Sequence, residues 1–323
     1  MSELRWNPVL EEWVVTATHR QDRTFFPPPD FCPICPTKKG KFETEIPSEN
    51  YDIVVFENKF PSFNRNASVP AILGDELYKV KKSRGICEVI VYTPEHNTTL
   101  ADQSVEQIHK LVYVWKDRYE ELGSHKFIKY VFIFENKGEV IGVTLHHPHG
   151  QIYSFSYIPP KIQKELLSSQ KYMNKLKKCL FCDILDKEIK FKKRIVYTNK
   201  SFTAFIPFFA RYPYEVHIYA NRHIQAISDF TEKECLNLAK ILKVIMKKYD
   251  NLFEMSFPYI MVMHQKPTDG KKYNNYHWHI EFYPPYRTKN KIKFLAGCES
   301  GAGTFINDTM AEEKAKELRK IKW

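Results

Sequence analysis

The chain has 323 residues, room for about two domains at the usual ~100–200 residues each. A hydrophobic fraction of 43% and a charged fraction of 27% exclude a disordered chain, and no stretch approaches the roughly 20 apolar residues that span a bilayer. The charge of +11, from 49 basic and 38 acidic residues, suits nucleic acid, an anionic membrane surface or small phosphorylated substrates, but the lysines are dispersed and form no basic tail.

The opening Met-Ser-Glu-Leu-Arg-Trp-Asn-Pro carries no basic segment followed by an apolar one. No secretory signal is expected, and the cytoplasm is the expected compartment. Along the chain, Ile53–Glu57 and Glu88–Tyr92 alternate like strands. A helix follows from about Ser104 to Leu122, opened by Asp102 or Ser104, and then strands at Lys129–Glu135 and Gln151–Tyr157. Pro159-Pro160 breaks the last of these, and a lysine-rich helical pattern runs from Pro159 to Lys178. The second series has strands at Ile195–Thr198, Glu215–Ala220, Tyr259–His264 and His277–Phe282. Its helix runs from Thr231 to Tyr249, with Thr231 capping and Glu234 at the capping-box position. Thr309 to Lys320 reads as a polar helix.

The two series are copies of one another. Glu88, Val89, Tyr92 and His96 recur at one offset as Glu215, Val216, Tyr219 and His223. Val55–Phe60 resembles Val196–Phe202. Each half opens with Cys-x-x-Cys and closes on a strand of alternating polar residues, His147–Gln151 and His277–Glu281. Four matches in one order point to duplication. Strands and helices do not alternate regularly, so the expected class is α+β, mostly antiparallel, with one long helix per repeat.

Seven cysteines include two Cys-x-x-Cys pairs, Cys32/Cys35 and Cys179/Cys182. Zinc takes four N or S ligands in a tetrahedron, and one such turn supplies two sulfurs. The repeat nominates His96 and His147 to complete the first quartet, and His223 and His277 the second. A redox pair is the alternative, but it needs no histidines. A second constellation is His147-Pro148-His149-Gly150-Gln151. On an extended strand His147, His149 and Gln151 share one face. An imidazole there can attack phosphorus while the glutamine amide donates to a phosphoryl oxygen. Three polar residues facing solvent is the plain alternative. Pro148 suggests an edge or special position, and Gly150 suggests room for a ligand against the backbone.

The sequence resembles the galactose-1-phosphate uridylyltransferase family, two-repeat members of the histidine-triad superfamily, over nearly the whole chain. The resemblance lies in Arg5-Trp6-Asn7-Pro8, Glu12-Trp13-Val14-Val15, His19-Arg20, Phe56–Phe60, Phe134–Gly138, His147–Gln151, Tyr249–Phe253, Phe257-Pro258-Tyr259 and Glu281–Pro285. It implies two tandem histidine-triad-like repeats. Residues 1–160 would carry the chemistry, and residues 161–323 would be scaffold with sugar-side and dimer contacts.

The implied reaction moves a uridylyl group from UDP-glucose to galactose 1-phosphate through a covalent histidine intermediate. His149 matches the nucleophile and Gln151 the phosphoryl-stabilising glutamine. Asn58, Asn136, Gly142 and Thr144 match uridylyl-binding positions. Arg20 and Arg23 match a basic pair near the phosphates, and Lys293 and Glu299 match sugar contacts that cross a dimer interface. Cys298 stands where the family has a tyrosine. The two repeated quartets predict zinc, two ions per chain. Some members instead hold a second metal, with iron as the alternative ion, on one Glu and three His. Those positions here are Glu165, His264, His279 and Glu281, the last histidine being replaced by an acid. Another nucleotidyltransferase on the same scaffold, such as an ADP-sugar adenylyltransferase or phosphorylase, is the alternative function. A nucleic-acid-binding module would need a clustered basic face and would leave His149 and Gln151 without a role.

Overall fold

The computed structural model describes residues 2–22, 31–40 and 42–323. Ser104 lies in extended backbone and its hydroxyl accepts from the Gln107 amide at 3.1 Å, starting α1 (Val105–Ser124). Ile108, Leu111, Val112, Trp115, Tyr119 and Leu122 recur at helical spacing and are buried as one stripe. In the second half Thr231 and Glu234 form the complete capping box that opens α4 (Glu232–Leu252). The two helices pack on each other and on one face of a sheet.

Among the described residues that sheet runs β3 (Val54–Glu57), β5 (Gly85–Val91), β7 (His149–Phe155), β6 (Tyr130–Lys137), then β11 (Tyr259–His264), β12 (His279–Tyr283), β10 (Val216–Ala220), β9 (Phe202–Phe205) and β8 (Ile195–Thr198). Its neighbours pair antiparallel. The halves meet at β6 and β11, where Ile133 stands opposite Met263 and Lys137 opposite Tyr259. About that seam, β5-β7-β6 on one side mirrors β10-β12-β11 on the other.

Several expectations need correction. The likeness of Val55–Phe60 to Val196–Phe202 does not carry over to the sheet. There β3 pairs directly with β5, whereas β8 reaches β10 only through β9. Pro148 marks no edge: it precedes β7, which lies between β5 and β6. A proline is tolerated there because the strand has not yet begun. The sequence reading also missed a small sheet of β1 (Ser2–Asn7), β2 (Glu12–Ala17) and β4 (Val80–Lys82).

The linker is helical as expected, as α2 (Pro160–Leu176). α3 (Leu180–Phe191), starting at Cys179, was not anticipated. The chain closes with a hairpin of β13 (Tyr286–Thr288) and β14 (Lys291–Ile292), then α5 (Gly297–Ala302) and α6 (Ala311–Lys320). Lys248 of α4 donates to the carbonyls of Leu318, Arg319 and Ile321, tying down the end of α6. Among the described residues no helix is long and apolar enough to cross a membrane.

Candidate active site and metal centres

Along β7, His149, Gln151 and Tyr153 are partly exposed while Gly150, Ile152 and Ser154 are buried against the core. Register places Val91 opposite His149 and Val89 opposite Gln151, with Phe134 of β6 on the other flank of Gln151. This face forms a cleft of about 300 Å³ that His149 and Gln151 line together with Ile34, Phe56, Asn58 and Thr144. Asn136 lines an adjoining hollow shared with His147 and His149. Gly142 ends the turn between these positions at φ 84°, a left-handed conformation that favours glycine. His149 Nδ1 donates to the His147 carbonyl at 2.8 Å, which puts the imidazole lone pair on Nε2.

His147 is itself held. Cys35 Sγ lies 3.4 Å from His96 Nδ1 and 3.4 Å from His147 Nδ1, and Cys32 completes the group. In the other half Cys182 Sγ lies 3.4 Å from His223 Nδ1 and 3.5 Å from His277 Nδ1, with Cys179 as the fourth member. Tetrahedral zinc with bonds of about 2.0–2.3 Å requires ligand separations of roughly 3.3–3.8 Å, so both donor sets fit it. The outward ring nitrogens agree. His147 Nε2 donates to the Thr93 carbonyl at 2.7 Å and His277 Nε2 to the Ala220 carbonyl at 2.9 Å, turning each Nδ1 lone pair toward the sulfurs. Burial pushes His147 down to about 4, keeping it in the neutral form that binds metal.

Two family models cover the chain: the galactose-1-phosphate uridyl transferase N-terminal domain over residues 1–159 and its C-terminal domain over residues 165–322. The chain belongs to the galactose-1-phosphate uridylyltransferase family. It is 42% identical to the galactose-1-phosphate uridylyltransferase of Thermotoga maritima over 322 residues, 99% of this chain and 98% of that one. The Saccharomyces cerevisiae protein of the same name is 34% identical, with 99% and 94% covered. A solved uridylyltransferase superposes with a TM-score of 0.88 at 34% identity, covering 98% and 97%. An ADP-glucose phosphorylase from Arabidopsis thaliana, solved with ADP-glucose, gives 0.75 at 25% identity, covering 100% and 99%.

A third group of donors gathers in this family member. Glu165, His264, His279 and Glu281 bring ligand atoms within 4.8 Å of one another. The sequence reading missed its other members. Lys161 Nζ donates to Glu281 Oε2 at 2.6 Å, and Arg211 stands 3.5 Å from the same carboxylate. His217 Nε2 lies 2.9 Å from Glu215 and 3.5 Å from Glu281, and the Tyr276 hydroxyl donates to Glu165 at 2.7 Å. Burial holds His264 below its ordinary value, so it meets Glu165 as a neutral donor, Nδ1 to Oε2 at 3.1 Å. The positive charges facing the carboxylates come from Lys161 and Arg211. α2, β10, β11 and β12 all contribute to the group, so no sequence spacing signals it.

The remaining expectations divide. The Arg20 guanidinium donates to the Ser62 hydroxyl and, at 3.4 Å, to Tyr153 on the same strand face as His149. Arg23 lies outside the described residues. Lys293 and Glu299 pair with each other at 2.9 Å, both side chains almost wholly buried, and neither lines the cleft that holds His149. Gly150 does not make room for a ligand. Its missing side chain points into the core, where a Cβ would overlap the Tyr92 hydroxyl.

Proposed function

We propose that this chain transfers a uridylyl group from UDP-glucose to galactose 1-phosphate in two displacements at His149. The observation that carries the reading is the Nδ1 hydrogen bond to the His147 carbonyl, which aims the His149 Nε2 lone pair as a nucleophile requires. Nε2 attacks the α-phosphorus of UDP-glucose. A P–N bond forms, the bond to the bridging oxygen breaks, and glucose 1-phosphate leaves. The phosphate oxygen of galactose 1-phosphate then attacks the same phosphorus, breaks the P–N bond and departs as UDP-galactose. Two inversions give net retention. Gln151 donates to the phosphoryl oxygens as negative charge builds. Asn58 and Thr144 in the cleft, Asn136 beside it and Gly142 on the adjoining turn are assigned to the uridylyl group.

Residues 1–160 carry this chemistry and residues 161–323 support it. Arg20 and Arg23 serve the phosphates, and Lys293 and Glu299 serve the sugar of a partner copy in a homodimer. Zinc is assigned to Cys32, Cys35, His96 and His147, and to Cys179, Cys182, His223 and His277. When bound, it supplies a tetrahedral cross-link that fixes His147 beside the nucleophile. Glu165, His264, His279 and Glu281 remain the alternative second set, with iron as its ion, but the Lys161 ammonium on Glu281 favours the cysteine quartet.

Intact-mass analysis after incubation with UDP-glucose alone tests the reading. A uridylyl adduct is expected, labile to acid and stable to base. His149→Ala abolishes both adduct and exchange, and His279→Ala retains the adduct. An adduct on the His149→Ala protein overturns the assignment. ADP-glucose in a parallel arm separates uridylyl from adenylyl transfer.

A further inference from the structure

We propose that Tyr92 and Glu135 are positioning residues that set the backbone carrying His149; the proposal rests on the reading of His149 as the nucleophile. The two halves differ in length by one residue beside this strand. Val91 stands opposite His149, and Tyr219 stands opposite His279. The carbonyl that holds the metal-ligand imidazole belongs to Thr93 in the first half and Ala220 in the second. The first half therefore has one extra residue, Tyr92, between these two landmarks, and the sheet register corrects the sequence repeat: Tyr219 corresponds to Val91, not to Tyr92, and His217, not Val216, to Val89.

The extra residue grips the nucleophile strand from two sides. Its backbone N–H donates to the Pro148 carbonyl at 3.1 Å. Its side chain is buried beneath the sheet, directly under Gly150. A Cβ on Gly150 would overlap the Tyr92 hydroxyl and stand 3.0 Å from its ring carbon and 3.2 Å from the Phe134 carbonyl oxygen. The phenol cannot drift, because its hydroxyl donates to Glu135 Oε2 at 3.2 Å while the Tyr259 hydroxyl donates to Oε1 at 3.0 Å.

The second half has neither the glycine nor the carboxyl. Its register places Ile280 where the first half has Gly150, and Met263 where the first half has Glu135. Replacing an apolar pair by a buried carboxyl, a phenol and a glycine weakens a core unless the polar groups do something else. Here they sit only behind the strand with the reactive histidine. Around Glu135, β6 contributes Lys137, α4 contributes Asp250 paired with that lysine, β11 contributes Tyr259, and Tyr92 follows directly on β5. Pinned by Tyr92 from below and by His147 at its entry, the backbone at 148–150 has little freedom to move the imidazole along the attack direction.

Single-turnover formation of the uridylyl adduct tests this, alongside steady-state KM for UDP-glucose and thermal melting. A misplacement near 1 Å can cost about a hundredfold, so Tyr92→Phe is expected to slow adduct formation roughly 10–100-fold with KM changed less than about twofold. Glu135→Gln, which keeps the shape, serves as the second variant and is expected to slow the same step. Gly150→Ala is expected to be slower still, with part of its rate recovered in Tyr92→Phe/Gly150→Ala, where the overlapping hydroxyl is gone. Wild-type adduct rates in Tyr92→Phe and Glu135→Gln overturn the proposal, as does a Gly150→Ala defect equal in both backgrounds. His149→Ala is run beside them: an adduct persisting there overturns the nucleophile reading itself.

Discussion

The two halves of the sheet are built alike and end differently. In the first, His149 is half-exposed over a cleft whose wall includes Ile34, the third residue of its Cys-x-x-Cys. In the second, the residue at that position is Phe181, and its ring lies 5.0 Å from that of His279, which is also covered by Tyr219 at 5.0 Å. His279 is 1% exposed as a result. Opposite charge choices complete the contrast: Gln151 can donate to a phosphoryl oxygen, whereas Glu281 is an anion already bound by Lys161. The place that is an open cleft in the first half is filled in the second by that half's own aromatic side chains.

The largest test of this contrast is metal removal. Structural zinc is worth on the order of 10 kcal/mol in small zinc peptides, so Cys35→Ser and Cys182→Ser should both lower the melting temperature far more than surface changes do. Cys35→Ser should also abolish adduct formation, while Cys182→Ser should leave a residual rate at His149. Elemental analysis should give two metal ions per chain; one per chain would set the halves apart in this respect too.

Next come the matched wall residues. Phe181→Ala should cost about 3–5 kcal/mol and Ile34→Ala about 2–5 kcal/mol in denaturant melts. Only the second should raise KM for UDP-glucose, because only Ile34 borders an open cleft.

The halves should also answer to pH with opposite sign. Burial pushes Glu135 up from 4.5 to about 7, so the folded state holds that proton more tightly. Its contribution to stability is complete below the unfolded value near 4.5 and is lost as pH rises through about 7. Glu135→Gln should therefore raise the melting temperature more near pH 8 than near pH 5. In the second half the Arg222 hydrogen bond brings Glu234 down to about 2, so its contribution is complete above 4.5 and is lost as pH falls toward about 2. Glu234→Gln should lower the melting temperature near pH 7, and the difference should shrink near pH 3.

The smallest difference is at the caps. Ser104→Ala and Thr231→Ala should each cost about 0.5–2 kcal/mol, the second more because it breaks a reciprocal box.

What the sequence revealed follows the range of the forces involved. Caps, strand alternation and Cys-x-x-Cys turns are local, and α1, α4, β7 and both quartets were legible from them. The quartet histidines lie far away in the chain, yet duplication exposed them, since each had a counterpart at a matching place. Gly150 was misread because alternation tells which face a residue takes but not what waits there, here the Tyr92 phenol. The third donor group was traced only through family likeness, and Lys161, Arg211 and His217 not at all, because they meet only once four elements have packed. The small sheet of β1, β2 and β4 escaped because its strands show little alternation between buried and exposed positions.

The seam between β6 and β11 has a consequence for synthesis. When the ribosome has released the first half, β6, with the sequence YVFIFENK, presents an unpaired edge rich in aromatic and branched residues. Its permanent neighbour at Tyr259–His264 has not yet been made. An apolar strand edge of that kind pairs readily with any other strand it meets, including the same edge of a second nascent chain. Completion of the fold therefore doubles as protection: the second half arrives late and closes the edge that the first half was obliged to leave open.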